Sequence, residues 1–189
     1  MGIFAKRTFH SEFGGLWTDR IDADRELRRR VKNRLIDEYS EFLLRHWITE
    51  GFVVLEGAID PEKCELLSNE LQQIFAEGSE DARYQEPTAP PGVAYPVPPG
   101  LSADRMRLVD LYGSSRLAAE VLMAPEIARF MKTIFDTGPL CFQGLTFEKG
   151  SGQGLHQDTA YVVIDQPLEL AACWVALEDI QHGSGELMY

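Results

Sequence analysis

The chain is poor in the residues that staple or anchor a protein. Among 189 residues there are three cysteines (Cys64, Cys141, Cys173) and four histidines. Three scattered cysteines exclude a disulfide framework and a cysteine-rich zinc site. No apolar run approaches the roughly 18 residues of a spanning helix. The opening MGIFAKRTFHSEF has no continuous apolar core of a secretory signal, and Lys6 stands where a myristoylation signal has Ser or Thr. Basic residues are also scarce, 18 against 30 acidic, for a net charge of -12. A surface of that sign disfavours nucleic acid and anionic membrane as partners. The expected setting is the reducing cytoplasm. Hydrophobic residues make up 44% and charged residues 25%, enough for one sizeable core.

Residues 1–20 are aromatic-rich and aperiodic, and read as an arm on the domain. A single domain is expected over 21–189, helical over 21–137 and β-rich over 138–189. From Asp22 to Trp47 the apolar residues Leu27, Val31, Leu35, Tyr39, Phe42, Leu43 and Trp47 recur every three or four positions. That spacing predicts one amphipathic helix ended by Gly51. Its start holds six of the basic residues, Arg25 to Arg34, expected on a solvated face. GFVVLEG (51–57) reads as a short strand. Asp60-Pro61 predicts a helix start, continuing to about Ala76. Residues 78–100 carry six of ten prolines and read as a long irregular loop, of a length usually tied to function. MRLVDLY (106–112) fits strand or loop. Ser114–Met123 and Pro125–Phe135 read as helices. LCFQGLTFEKG, AYVVID and LELAACWVALEDI then read as strands, giving an α+β domain with N-terminal helices on a β-sheet or barrel.

The chemistry is expected in the last forty residues. His156-Gln157-Asp158 follows a glycine-rich loop. In a strand, residues i and i+2 point the same way, so an imidazole and a carboxylate would converge. A second histidine would complete the two-histidine, one-carboxylate facial triad of non-heme Fe(II) oxygenases. Chance yields about one such triplet in four sequences of this composition. A surface pair or a hydrogen-bonded core histidine is the bland alternative.

The wider context is more specific. HQDTAY, then the strand LAACWVALEDI and the turn GSGEL, resembles the phytanoyl-CoA dioxygenase family of Fe(II)/2-oxoglutarate oxygenases. The resemblance is tight over 140–189 and looser over 50–135. It implies a double-stranded β-helix (a jelly-roll or cupin-like barrel) packed against the N-terminal helices. It implies iron(II) on His156 and Asp158, with 2-oxoglutarate as cosubstrate and dioxygen as oxidant. It implies a cosubstrate pocket at Gln157, Trp174, Thr146 and Arg107, with Tyr161 and Gln143 on the substrate side. Packing roles for Trp174 and Tyr161, and a surface ion pair for Arg107, are the alternatives. The family's distal histidine and its 2-oxoglutarate-clamping arginine would lie beyond Tyr189. The chain is therefore expected to be the N-terminal part of a longer protein, lacking the C-terminal strands and inactive by itself. His182 is expected to be an exposed turn residue, and Cys141 and Cys173 buried strand residues. The implied reaction hydroxylates an unactivated C–H bond of a small organic metabolite or acyl-CoA, releasing succinate and carbon dioxide. The rival readings are a non-catalytic interaction module on the same fold, and a cupin-like metalloprotein that does not use 2-oxoglutarate.

Overall fold

The computed structural model describes residues 8–86, 88–90, 92–102, 106–149, 153–166, 168–184 and 186–189. Lys6, most of the glycine-rich stretch before His156, and the first seven residues of the expected arm lie outside them.

Five α-helices and one four-stranded antiparallel sheet are formed among these residues: α1 (Ala23–Lys32), α2 (Glu38–Glu50), α3 (Pro61–Glu77), α4 (Arg116–Leu122), α5 (Pro125–Phe135), and β1 (Ser79–Gln85), β2 (Tyr95–Val97), β3 (Arg107–Val109), β4 (Leu145–Thr146). The strand order is β2-β1-β3-β4. The architecture is α+β, as expected. A jelly-roll is not formed by the described residues, which make this one small sheet. β1 and β2 come from the stretch expected to be an irregular loop, and β3 falls within 106–112, read as strand or loop.

The predicted helix from Asp22 to Trp47 is broken in two. Arg34 adopts a left-handed backbone, φ 58°. Asp37 then restarts the chain, its carboxylate accepting the Ser40 N–H at 2.7 Å. The break changes which side chains turn inward. Ile36 is buried, while Leu35 is 69% and Phe42 70% exposed. α1 itself is well matched to its dipole, with Asp24 and Glu26 in the first turn and Arg29, Arg30 and Lys32 in the last.

Further expectations fail. Neither AYVVID (160–165) nor LELAACWVALEDI (168–180) forms a strand. Residues 51–57 are not a strand. Val53 and Leu55 pack inward while Val54 is 65% exposed, an alternation without a ladder. The proline-rich stretch is not irregular throughout, because Ser79–Gln85 and Tyr95–Val97 pair across it. Proline is tolerated in β2 because β2 lies at the sheet edge. α3 matches expectation closely: Asp60 accepts the Glu62 N–H at 3.0 Å ahead of Pro61.

The core has two parts. One joins Leu67, Leu71 and Phe75 of α3 to Ala82, Val97 and Leu108 of the sheet and Val121 of α4. The other joins Leu27, Leu43 and Leu44 to Phe130 and Ile134 of α5, closed by Leu16 and Trp17 of the arm. The arm is pinned by indoles: Trp17 Nε1 donates to the Thr133 carbonyl at 2.8 Å, and Trp47 Nε1 to Thr18 Oγ1 at 3.1 Å. Arg30 departs from the solvated face expected of its segment. It lies 4.1 Å over the Trp17 ring and bonds Asp136 through two nitrogens. The late segment touches both parts, with Ala171 against the second and Val175 and Leu177 against the first.

Candidate metal and cosubstrate site

His156 and Asp158 do converge, without a strand. Asp158 opens a 3-10 turn (Asp158–Ala160) in which its carbonyl accepts the N–H groups of Tyr161 and Val162, both at 2.8 Å. Only Gln157 between them is extended, φ -115° and ψ 129°. One extended residue is enough to put its two neighbours on a common side. His156 Nε2 and Asp158 Oδ1 are 3.3 Å apart.

The tautomer of His156 follows from its other nitrogen. Nδ1 lies 2.7 Å from the Gly154 carbonyl oxygen. A carbonyl only accepts, so Nδ1 carries the proton and donates. In neutral imidazole, Nε2 then holds a lone pair aimed at a carboxylate oxygen. Two electron-rich atoms at this separation are placed to share a cation. A proton on Nε2 gives an ion pair. A first-row divalent metal ion fits as well: bonds of about 2.1 Å put neighbouring donors about 3.0–3.4 Å apart. Backbone support of the ligating histidine's second nitrogen is what metal sites use to fix the ring. The donor set thus fits iron(II) at two positions. Among the described residues, no group of three His, Cys, Asp or Glu side chains is close enough to hold a metal. His182 is fully exposed and bonds Glu186 at 2.9 Å in its own turn.

Tyr161 stands edge-on to the His156 ring at 5.7 Å, and is itself 77% exposed. Trp174 is half-exposed, whereas its neighbour Val175 packs against the first part of the core. Cys141 is partly buried and Cys173 exposed, neither in a strand, contrary to the buried strand positions expected.

The remaining candidates belong to the sheet, and the pleat sorts them. Arg83 pairs with Val109, Tyr84 with Leu108 and Gln85 with Arg107. Leu108 pairs with Thr146, and Val109 with Leu145. Paired residues share a face. Tyr84, Leu108 and Thr146 therefore face the helices. Arg83, Gln85, Arg107, Val109 and Leu145 face the other way. There Arg83, Gln85 and Val109 line an open cleft of about 670 Å³ with Asp81, Asp110, Ser114 and Gln143, while Arg107 and Leu145 are not among its lining residues. Arg107 and Gln143 are thus brought to one side. Thr146 is on the opposite face, and Leu145 shares the face of its partner Val109. No hydrogen bond or ring contact among the described residues joins this group to His156 and Asp158.

Three residues escaped the sequence. Gln85 accepts from Arg107 Nε at 2.9 Å and Nη2 at 2.5 Å. Asp110, with φ 51°, locks β4 to β3: its backbone N–H donates to the Gly144 carbonyl and its carboxylate accepts the Gly144 N–H, both at 2.8 Å. Leu145 lies one position from the residue expected in the pocket. Pairing register, which no local motif encodes, is the information that was lacking.

The phytanoyl-CoA dioxygenase family model matches residues 47–189. The chain belongs to the phytanoyl-CoA dioxygenase family. That is a family of Fe(II)- and 2-oxoglutarate-dependent dioxygenases, and the match takes in every candidate residue named above. No curated protein and no solved structure matches the chain significantly. No helix of the described residues is long and apolar enough to cross a membrane.

Proposed function

We propose that this family member is an Fe(II)/2-oxoglutarate-dependent dioxygenase that hydroxylates an unactivated C–H bond of a small organic molecule, with release of succinate and carbon dioxide. The observation that carries the reading is the His156–Asp158 pair, whose Nε2 and Oδ1 lie 3.3 Å apart with the imidazole held at the Gly154 carbonyl. Iron, when bound, supplies the oxidising chemistry.

The protein's own residues supply position and charge. His156 offers Nε2 and Asp158 offers Oδ1. Gln157, between them, turns away and leaves its backbone to line the site. The Tyr161 ring covers one edge of the imidazole. Arg107, bonded to the cleft-lining Gln85, offers a positive charge suited to a carboxylate of 2-oxoglutarate. Trp174 and Thr146 are assigned to the cosubstrate pocket by family resemblance, and Gln143 to the substrate side. For Thr146 that assignment requires the pocket to reach the core face of β4. Asp81 and Asp110 stand beside Arg83 in the cleft lining. That mixed charge suits a small polar metabolite better than a polyanionic CoA ester.

Anaerobic titration with Fe(II) and 2-oxoglutarate tests the reading. In the full-length protein a visible metal-to-ligand charge-transfer band and succinate release under oxygen are expected, and both are expected to vanish in His156→Ala and Asp158→Ala. Unchanged succinate release in either variant would sink the metal assignment.

A further inference from the structure

Gln85 makes two bonds of opposite sense. Its Oε1 accepts two N–H groups of Arg107, and its Nε2 donates to the Val93 carbonyl at 3.3 Å. The amide cannot be reversed. A flip would set an NH2 group against a guanidinium and two carbonyl oxygens against each other. Gln85 is half-buried at the end of β1, in register with Arg107. Val93 belongs to a turn closed by its own N–H on the Pro90 carbonyl at 3.1 Å. The guanidinium is thus held through Nε and Nη2, while Nη1 has no protein partner among the described residues.

From this geometry we infer that Gln85 is a positioning residue. It aims the Arg107 guanidinium at the carboxylate of the cosubstrate and couples that grip to the turn around Val93. The inference rests on the reading of Arg107 as a 2-oxoglutarate contact. An arginine held by a neutral acceptor keeps its full charge for an anion. An arginine held by a carboxylate would be neutralised. Glutamine is also the side chain of this length that can accept from the arginine and donate to the turn at once. The coupling runs both ways: ligand on Arg107 steadies the amide, and the amide steadies the turn.

The test uses the full chain, with 2-oxoglutarate as the probe. Calorimetric binding is measured for the wild type, Gln85→Met, Arg107→Met and the double variant, with amide hydrogen exchange at Val93 and at Ala89, whose N–H donates to the Glu86 carbonyl at 3.1 Å. Gln85→Met is expected to weaken 2-oxoglutarate binding about tenfold and to speed exchange at Ala89 and Val93. The double variant is expected to bind no more weakly than Arg107→Met, because the two side chains act as one unit. Gln85→Glu keeps an acceptor for Arg107 but sets an oxygen against the Val93 carbonyl. It is expected to weaken binding and speed exchange too, and serves if the methionine variant does not fold. Binding by Gln85→Met equal to wild type, strictly additive losses, or unaltered exchange would each overturn the inference. If the wild type takes no 2-oxoglutarate, the cosubstrate reading fails and exchange decides the coupling. Faster exchange at Val93 in Arg107→Met then upholds the relay through Gln85, and unchanged exchange removes it.

Discussion

Arg30 and Asp136, 106 positions apart, meet through two parallel N–H···O bonds at 2.5 and 2.6 Å. The same guanidinium lies over Trp17. One side chain thereby fastens the arm, α1 and the end of α5. The Arg30 side chain is only 14% exposed, whereas Asp136 is 52% exposed, so the pair is partly screened. Arg30→Met is expected to cost about 1–2 kcal/mol, combining the fork with the cation–π contact. The urea midpoint reads it; a midpoint equal to wild type would show the clasp to be ornamental.

Glu26 accepts from both Arg29 and Arg30. The Arg29 hydrogen bond above all, with Arg30 and both charges adding, holds its carboxyl down to about 2 against burial. A carboxylate with a lowered folded-state pKa stabilises the fold above its unfolded value. That contribution fades as pH falls from about 4.5 to about 2. Thermal melts over that window should fall less steeply for Glu26→Gln than for wild type. Parallel slopes would contradict the assignment.

Two glycines of positive φ should respond differently to alanine. Gly78 has φ 80°, and a Cβ there would lie 2.8 Å from both the Pro99 nitrogen and the Val97 oxygen, which are backbone atoms. Gly57 has φ 65° and open space around it. Gly57→Ala should cost about 1 kcal/mol from conformation alone. Gly78→Ala should cost about 2–4 kcal/mol, since strain and collision add. Equal losses in denaturant titrations would mean that the α3–β1 corner relaxes freely.

Leu44 is completely buried between α1, α2 and α5. Leu44→Ala is expected to cost about 2–5 kcal/mol. Leu35→Ala, on the exposed side of the break at Arg34, should change stability by less than about 0.5 kcal/mol. Comparable losses would restore the single continuous helix.

Metal titration should separate the two C-terminal histidines. His156→Ala and Asp158→Asn are expected to lose Fe(II) binding. His182→Ala should retain it, because that ring is fully exposed and spends Nδ1 on Glu186. A loss of binding in His182→Ala would make it a ligand.

The helices were legible where caps and period agreed. Asp60-Pro61 and Pro125 announce α3 and α5 in the chain itself. The break at Arg34 was hidden because the apolar period runs straight through it, and a left-handed arginine has no sequence signature. β1 was missed because SEDARYQ is polar on its cleft side and its partners lie across a proline-rich turn. The family resemblance gave His156 and Asp158 their proposed role, and the structure brings them together through one extended residue at Gln157. What local sequence could not supply was the alignment of β3 with β4, which separates Thr146 from Arg107.

That pleat has an evolutionary consequence. The sheet keeps its two sets of residues on separate accounts of selection: Ala82, Leu108 and Val97 answer to packing, while Arg83, Gln85 and Val109 answer to whatever enters the cleft. A lineage can therefore trade one ligand for another by drifting at alternate positions along two short strands, without passing through an unfolded ancestor.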